Sequence, residues 1–148
     1  MKIINKKFYR NYQEIESYEA GIVLTGDEVK SIRLGRIKLE DAYVKLIGKD
    51  FYLINCHILS YPFSQDKNYD PTRSRKLLLH KKEIIRIQTK MKGAGLTIAP
   101  KSCYNKGKLI KLEIALVRGR KEREKRRLEK ERDIKLSQEK EIKEHLKI

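Results

Sequence analysis

Two stretches of this sequence set tyrosines among cations. Lys6, Lys7, Tyr9, Arg10 and Tyr12 stand near the start, and Tyr69, Arg73, Arg75 and Lys76 form a second group. The chemistry of such a set is adhesive rather than reactive. Ammonium and guanidinium groups track a phosphate backbone while tyrosine rings stack on unpaired bases; the same tyrosines would also serve as core residues. Glu19 is the odd member, because a carboxylate on a basic surface weakens phosphate binding. One use for it is to accept a hydrogen bond from a base amino group. The plain alternative is a strand residue paired with a neighbouring Lys, and spacing does not separate the two. Lys30 and Arg33, three apart, share a helix face that a polyanion or bulk water would suit.

Groups for catalysis are harder to assemble. Glu14, Glu16, Glu19, Asp27 and Glu28 are crowded enough to suggest the carboxylate pair of a metal-dependent nuclease. Asp27 and Glu28, however, are accounted for by a helix N-terminus, where negative charge is favourable. No phosphate loop, dinucleotide fingerprint, HExxH or GxSxG motif is present. His57, His80 and His145 fall in three different elements, and His80 reads as a structural or capping residue. Cys56 and Cys103 have no second Cys at metal-ligand spacing and read as core cysteines. The expectation is a binding protein with no catalytic residue, metal or cofactor.

Charge supports that expectation. The 148 residues carry 36 Lys and Arg against 20 Asp and Glu, a formal net of +16. Solubility calls for a net charge of roughly 2–8 in a small domain, so the excess points to a polyanionic partner whose counterions it displaces. The length suits one domain with a modest core plus an arm or tail. No apolar run approaches the roughly 20 residues of a membrane span, and the opening MKIINKKFYRNY has no apolar signal region. A cytoplasmic, reduced protein without membrane contact is expected.

The elements that would position these residues follow from pattern. Tyr18, Ala20, Ile22 and Leu24 alternate as a strand, and Thr25-Gly26-Asp27-Glu28 has the form of a capping box opening a helix. Val29 and Ile32 face the core and Gly35 stops the helix. Positions 1–12 read as a loose arm or the lead-in to the first strand. Ala42–Ile47 and Phe51–Ile58 flank Gly48-Lys49-Asp50 as a hairpin, with Ile54, Cys56 and Ile58 on the buried parity. Tyr61–Lys76 has no periodicity and reads as a long loop. Leu77–Leu79 is a short strand. A helix from His80 turns Ile84, Ile87 and Met91 inward until Gly93 and Gly95. Residues 96–117 form a second hairpin turning at Asn105-Lys106-Gly107, with Ile110, Leu112, Ile114 and Leu116 inward and Pro100 marking an edge or bulge.

At Gly119 the composition breaks. Residues 119–148 hold 12 basic and 8 acidic side chains, leaving a net of +12 to residues 1–118. Leu128, Ile134, Leu136, Ile142, Leu146 and Ile148 keep no seven-residue seam. Glu122–Arg126, Glu131–Lys135 and Glu139–Lys143 are helix-favouring i,i+4 pairs. Such a tail is expected to be disordered alone and helical against a polyanionic surface. Thirty helical residues would reach about 45 Å. The fold expected for 1–118 is mainly β, a small antiparallel OB-like barrel flanked by two to three α-helices, with an α+β open sheet as the alternative.

The blocks Asn5–Lys6, YEAGIVLTGDEVKSIRLG at 18–35, DAYV at 41–44, DPTRSRKLLLHKKEI at 70–84, GLTI at 95–98, YNKG at 104–107 and EIALVRGRK at 113–121 resemble the SmpB family, the SsrA-binding proteins of bacterial trans-translation. The resemblance runs from Asn5 to about Arg126. It implies an OB-like barrel that binds the tRNA-like domain of tmRNA without catalysis and enters stalled ribosomes together with elongation factor Tu. The tail would occupy the empty mRNA channel near the decoding centre. A generic OB-type RNA-binding or ribosome-associated protein is the alternative. Carried onto this sequence, the resemblance implies RNA contacts at Asn5, Lys6, Tyr12, Glu19, Tyr43 and the 73–78 segment, which includes Arg73, Arg75, Lys76 and Leu78. Lys7, Lys30 and Arg33 join them from charge. Gly119, Arg120, Lys121, Lys125 and Arg126 stand at the family's tail motif. Arg120 keeps the charge of the Lys usual there, Glu124 replaces Asp, Arg123 stands where an aromatic or His is common, and Phe8 replaces a small residue.

Overall fold

The computed structural model describes residues 1–146; Lys147 and Ile148, the last apolar tail position, lie outside the described residues. In chain order the elements are β1 (Lys2–Ile4), α1 (Phe8–Asn11), β2 (Tyr12–Ile22), α2 (Gly26–Arg33), β3 (Ile37–Lys38), β4 (Tyr43–Ile47), β5 (Asp50–Ile54), β6 (His57–Ile58), β7 (Arg75–Leu78), α3 (Lys81–Met91), β8 (Thr97–Lys106), β9 (Leu109–Gly119) and α4 (Glu122–Leu146). The main sheet runs β1-β8-β4-β5-β7-β2-β9, and β9 also pairs with β8, which closes the sheet into an antiparallel barrel. Closure leaves β8 one edge to share: β4 meets it at Ile98, and β1 takes it over at 102–104. β3 and β6 pair separately.

The barrel is filled by the inward residues of β9, Ile110, Leu112, Ile114 and Leu116, packed with Ala20, Phe51, Leu53, Leu77 and Ile98, and with Ile32 and Ile87 from α2 and α3. Both cysteines are buried among them, and burial pushes each thiol up to about 12, so they behave as small apolar residues. The capping box forms as expected: the Glu28 N–H donates to Thr25 Oγ1 (3.2 Å) and the Thr25 N–H to Glu28 Oε1 (3.0 Å). Gly107 adopts φ +62 in the tight β8–β9 turn, and the register slips between Pro100 and Ser102, the bulge Pro demands. The long loop before β7 is present but ends at Ser74, because Arg75 and Lys76 already pair with Leu53 and Tyr52 as the start of the strand expected at Leu77.

Three expectations need correction. The first twelve residues are not a loose arm. β1 adds to the barrel, and α1 carries Phe8 (0% exposed) onto Ala99, Ala115 and Val117 on the outer side of β8 and β9. Burying that ring contributes about 1.5–3 kcal/mol, and it explains why Ala115, on the outward parity, is buried. The first long strand begins at Tyr12, not Tyr18. In the hairpin, Phe51 and Leu53 face the core and Ile54 does not, because Asn55 (φ +59) inserts a left-handed residue that reverses parity before Cys56 and Ile58.

Candidate RNA interface

β7 alternates, and that alternation divides the 73–78 segment in two. Arg75 and Leu77 point inward, whereas Lys76 and Leu78 point outward. Arg75 is 0% exposed. Its Nε donates to Glu28 Oε2 (2.7 Å), its Nη1 to the Cys56 carbonyl (2.7 Å), and its Nη2 to Tyr69 Oη (2.9 Å) and the Pro71 carbonyl (3.0 Å). A phosphate contact by Arg75 is therefore excluded in this fold; it is an internal strut.

Glu28, 1% exposed, is the other half of that strut. Besides closing the capping box, its carboxylate receives Arg73 Nη2 on Oε1 and Arg75 on Oε2. Burial alone would raise its pKa, but the Thr25 N–H and the two guanidiniums outweigh burial and hold it below the usual carboxylate range. Tyr69 Oη lies between Glu28 Oε2 (3.1 Å) and the Ile58 carbonyl (2.9 Å) and donates into this pair. Burial pushes its phenol up to about 12, so it stays neutral. Tyr69 is thus committed to the network and is not a free stacking ring. The network fastens Asp70-Pro71-Thr72-Arg73, a Pro-led turn closed by the Arg73 N–H on the Asp70 carbonyl (3.3 Å), to the start of α2. Arg73 keeps part of its guanidinium in water.

The outward half of β7 joins an exposed face. Glu19, Lys76, Leu78, His80 and Lys111 line a depression of about 360 Å³ between β2, β7, β9 and α3. Leu78 sits directly across from Gly21, where a Cβ would come within 3.1 Å of the Leu78 Cβ, so glycine lets the two strands seat Leu78 outward. Glu19 accepts from Tyr104 Oη and from Lys106 Nζ (3.0 Å), and these bonds lower its pKa. The paired-surface alternative for Glu19 therefore holds in the free protein, and the carboxylate remains charged and exposed. Lys111 went unnoticed in the sequence, where it was one outward residue of an alternating strand. Its place opposite Gly21 supplies the missing signal.

The other sequence-derived residues fall elsewhere. Asn5 is 2% exposed and spends its side chain on the Pro100 carbonyl (2.9 Å) and the Lys7 N–H (3.2 Å); it shapes α1 and cannot reach RNA directly. Lys6 and Lys7 are exposed beside it, and Tyr12 packs on Phe8. Lys30 lies over the Tyr61 ring, Arg33 donates to the Lys108 carbonyl (3.2 Å), and Tyr43 is exposed on β4. The acidic residues are dispersed into separate pairs: Glu14 with Lys101, Glu16 with Arg86 and Lys90, and Asp27 with Ser64.

The tail has a distinct attachment. Arg120 donates from Nε to the carbonyls of Tyr9 (3.0 Å) and Tyr12 (3.2 Å), and its N–H to Asn11 (2.8 Å). Beyond it α4 runs for 25 residues with none buried, held to α1 by Arg10 and Glu129. Over the described residues its length is about 38 Å, and it opens at Glu122 rather than at Gly119. Of the i,i+4 pairs, Glu122–Arg126 is formed (3.9 Å). Gly119 ends β9, Lys121 stands just before α4, and Lys125 (half-buried) and Arg126 (exposed) lie in the helix's opening turns.

The SmpB protein family model matches residues 2–144. The SsrA-binding protein of Sulfurihydrogenibium sp. (strain YO3AOP1) is 47% identical over 144 residues, 97% of this chain and 95% of that protein. That of Mycoplasma mycoides subsp. mycoides SC is 48% identical over 130 residues, covering 87% and 88%. A solved structure described as "tmRNA-SmpB: a journey to the center of the bacterial ribosome" contains a chain with TM-score 0.67 and 38% identity, covering 82% of this chain and 85% of that one.

Proposed function

The chain belongs to the SmpB protein family, and from that premise we propose that it binds tmRNA and delivers it to stalled ribosomes for trans-translation. The observation that carries this reading is that the family match spans body and tail alike, residues 2–144. We assign tmRNA recognition to residues 1–118 and engagement of the ribosome to residues 119–148, the tail lying in the empty mRNA channel and becoming fully ordered there. On the body the contacts are the face of Glu19, Lys76, Leu78 and Lys111, together with Arg73 on the turn fastened to α2. Lys6, Lys7, Tyr12, Tyr43, Lys30 and Arg33 are supporting contacts. Elongation factor Tu reaches the complex through tmRNA. The role is one of binding, with the carboxylates serving cations and backbone donors rather than a reaction. No helix among the described residues is long and apolar enough to cross a membrane, and we place the protein in the cytoplasm with the ribosome.

Competition binding tests the reading. The tRNA-like domain of tmRNA should displace a labelled tmRNA probe at far lower concentration than ordinary tRNA does. Equal competition by the two would support the alternative of a generic OB-type RNA-binding protein.

A further inference from the structure

Tyr61-Pro62-Phe63-Ser64 is a second Pro-led turn, closed by the Ser64 N–H on the Tyr61 carbonyl (2.9 Å). It is fastened on both flanks, to α2 on one side and to the α2–β3 connection on the other. The Ser64 hydroxyl donates to Asp27 Oδ2 (2.7 Å), and on the other side Arg36 Nη2 donates to the Ser60 carbonyl (3.3 Å) while the Leu59 N–H donates to the Arg36 carbonyl (3.0 Å). At the tip of this preorganised turn Phe63 is 81% exposed. Tyr61 meets the Phe63 ring edge-on at 5.6 Å, and Lys30 Nζ stands 5.5 Å from the Tyr61 centroid.

A lone exposed apolar side chain needs no explanation. A Phe held out from a braced turn, beside a second aromatic ring and a cation, has a specific fit. Flat faces take nucleobases irrespective of sequence, and the cation takes the adjoining phosphate. An apolar protein partner would instead suit a wider apolar rim, whereas this turn is bordered by Lys30 on a chain of net charge +16.

We propose that the Tyr61–Phe63 turn is a stacking platform for an unpaired base of the bound RNA, with Lys30 on the neighbouring phosphate. The proposal rests on the RNA-binding reading above and extends the interface from the β2–β7–β9 face to the far side of the 59–74 loop. It gives the loop two braced turns with separate tasks: the second presents Arg73 and the first presents Phe63.

The chain contains no tryptophan, so Phe63→Trp places a sole tryptophan at the platform, excitable apart from the tyrosines. On titration with a transcript of the tRNA-like domain of tmRNA, its emission should be quenched by base stacking, following the same curve as the anisotropy of labelled RNA. Phe63→Ala and Phe63→Leu should both weaken binding on the order of ten-fold with the salt slope and thermal unfolding unchanged, since Leu keeps apolar area but no stacking face. Unchanged emission while anisotropy reports bound RNA, or wild-type affinity in Phe63→Ala, overturns the platform and leaves the RNA-binding reading standing. Failure of the wild-type chain to bind the transcript removes both.

Discussion

The barrel and the tail are both densely charged, yet they use charge in opposite ways. In the barrel the decisive charges are hidden. Glu28 and Arg75 pair out of solvent beneath the loop, with the half-exposed Arg73 on the same carboxylate, and so fix the backbone that presents Lys76 and Leu78. In α4 nothing is buried, and its ion pairs join Glu122 to Lys125 and Arg126 within the helix and Glu129 to Arg10. Shape in the body comes from charge pairs taken out of solvent. The tail is a helix with no buried face, joined to the body through Arg10 and Glu129. On the proposed function, the first arrangement suits a body that holds an RNA fold and the second suits a rod that lies in a groove.

Breaking the buried strut should have the largest effect. Glu28→Ala leaves Arg75 buried without its counter-ion and should cost about 3–5 kcal/mol, read as a lower urea midpoint. A midpoint near wild type would show that Arg75 finds other partners and that the barrel does not depend on hidden charge.

The same contrast appears in acid. Folding lowers the Glu28 pKa, so the unfolded chain holds that proton more tightly than the folded one. The stabilisation is complete above the ordinary Glu value of about 4.3 and is lost as pH falls through the lower folded value. Urea midpoints measured downward from pH 6 should fall along this limb in the full chain and equally in a chain ending at Lys121. A flatter limb in the shortened chain would place the acid-sensitive charge in the tail.

On the RNA-facing side, Glu19→Ala should weaken tmRNA binding on the order of ten-fold with little change in salt slope, while Lys111→Ala should reduce the slope by about one. Identical slopes for the two variants would reject a base-reading role for Glu19. The smallest effect is expected from ending the chain at Lys121: the urea midpoint at neutral pH should stay in place, because α4 buries nothing.

Local chemistry and the barrel class were legible in the sequence, and long-range side-chain partners were not. Thr25 to Glu28, the glycine turns and the inward face of β9 depend on neighbours within a few residues, so pattern revealed them. Glu28 could be seen to cap α2, but its guanidinium partners come from the loop end and the start of β7, 45 and 47 residues away. Arg75 looked like its neighbours Arg73 and Lys76 because residue type does not report which side of a four-residue strand it occupies. Asn5 likewise meets Pro100 across 95 residues. Asn55 reversed the hairpin parity through a single left-handed residue, where no glycine signals the turn. Of the interface, Glu19 and Leu78 came through resemblance, whereas Lys111 needed the register of β2 against β9 to be noticed.

The division of labour between body and tail is tested most directly by one chain ending at Lys121, which keeps the Arg120 anchor on α1. Its affinity for the tRNA-like domain of tmRNA should match that of the full chain, while tagging of nascent chains on ribosomes stalled without a stop codon should be abolished. Loss of tmRNA affinity with the barrel still folded, or tagging that persists without α4, would contradict the account.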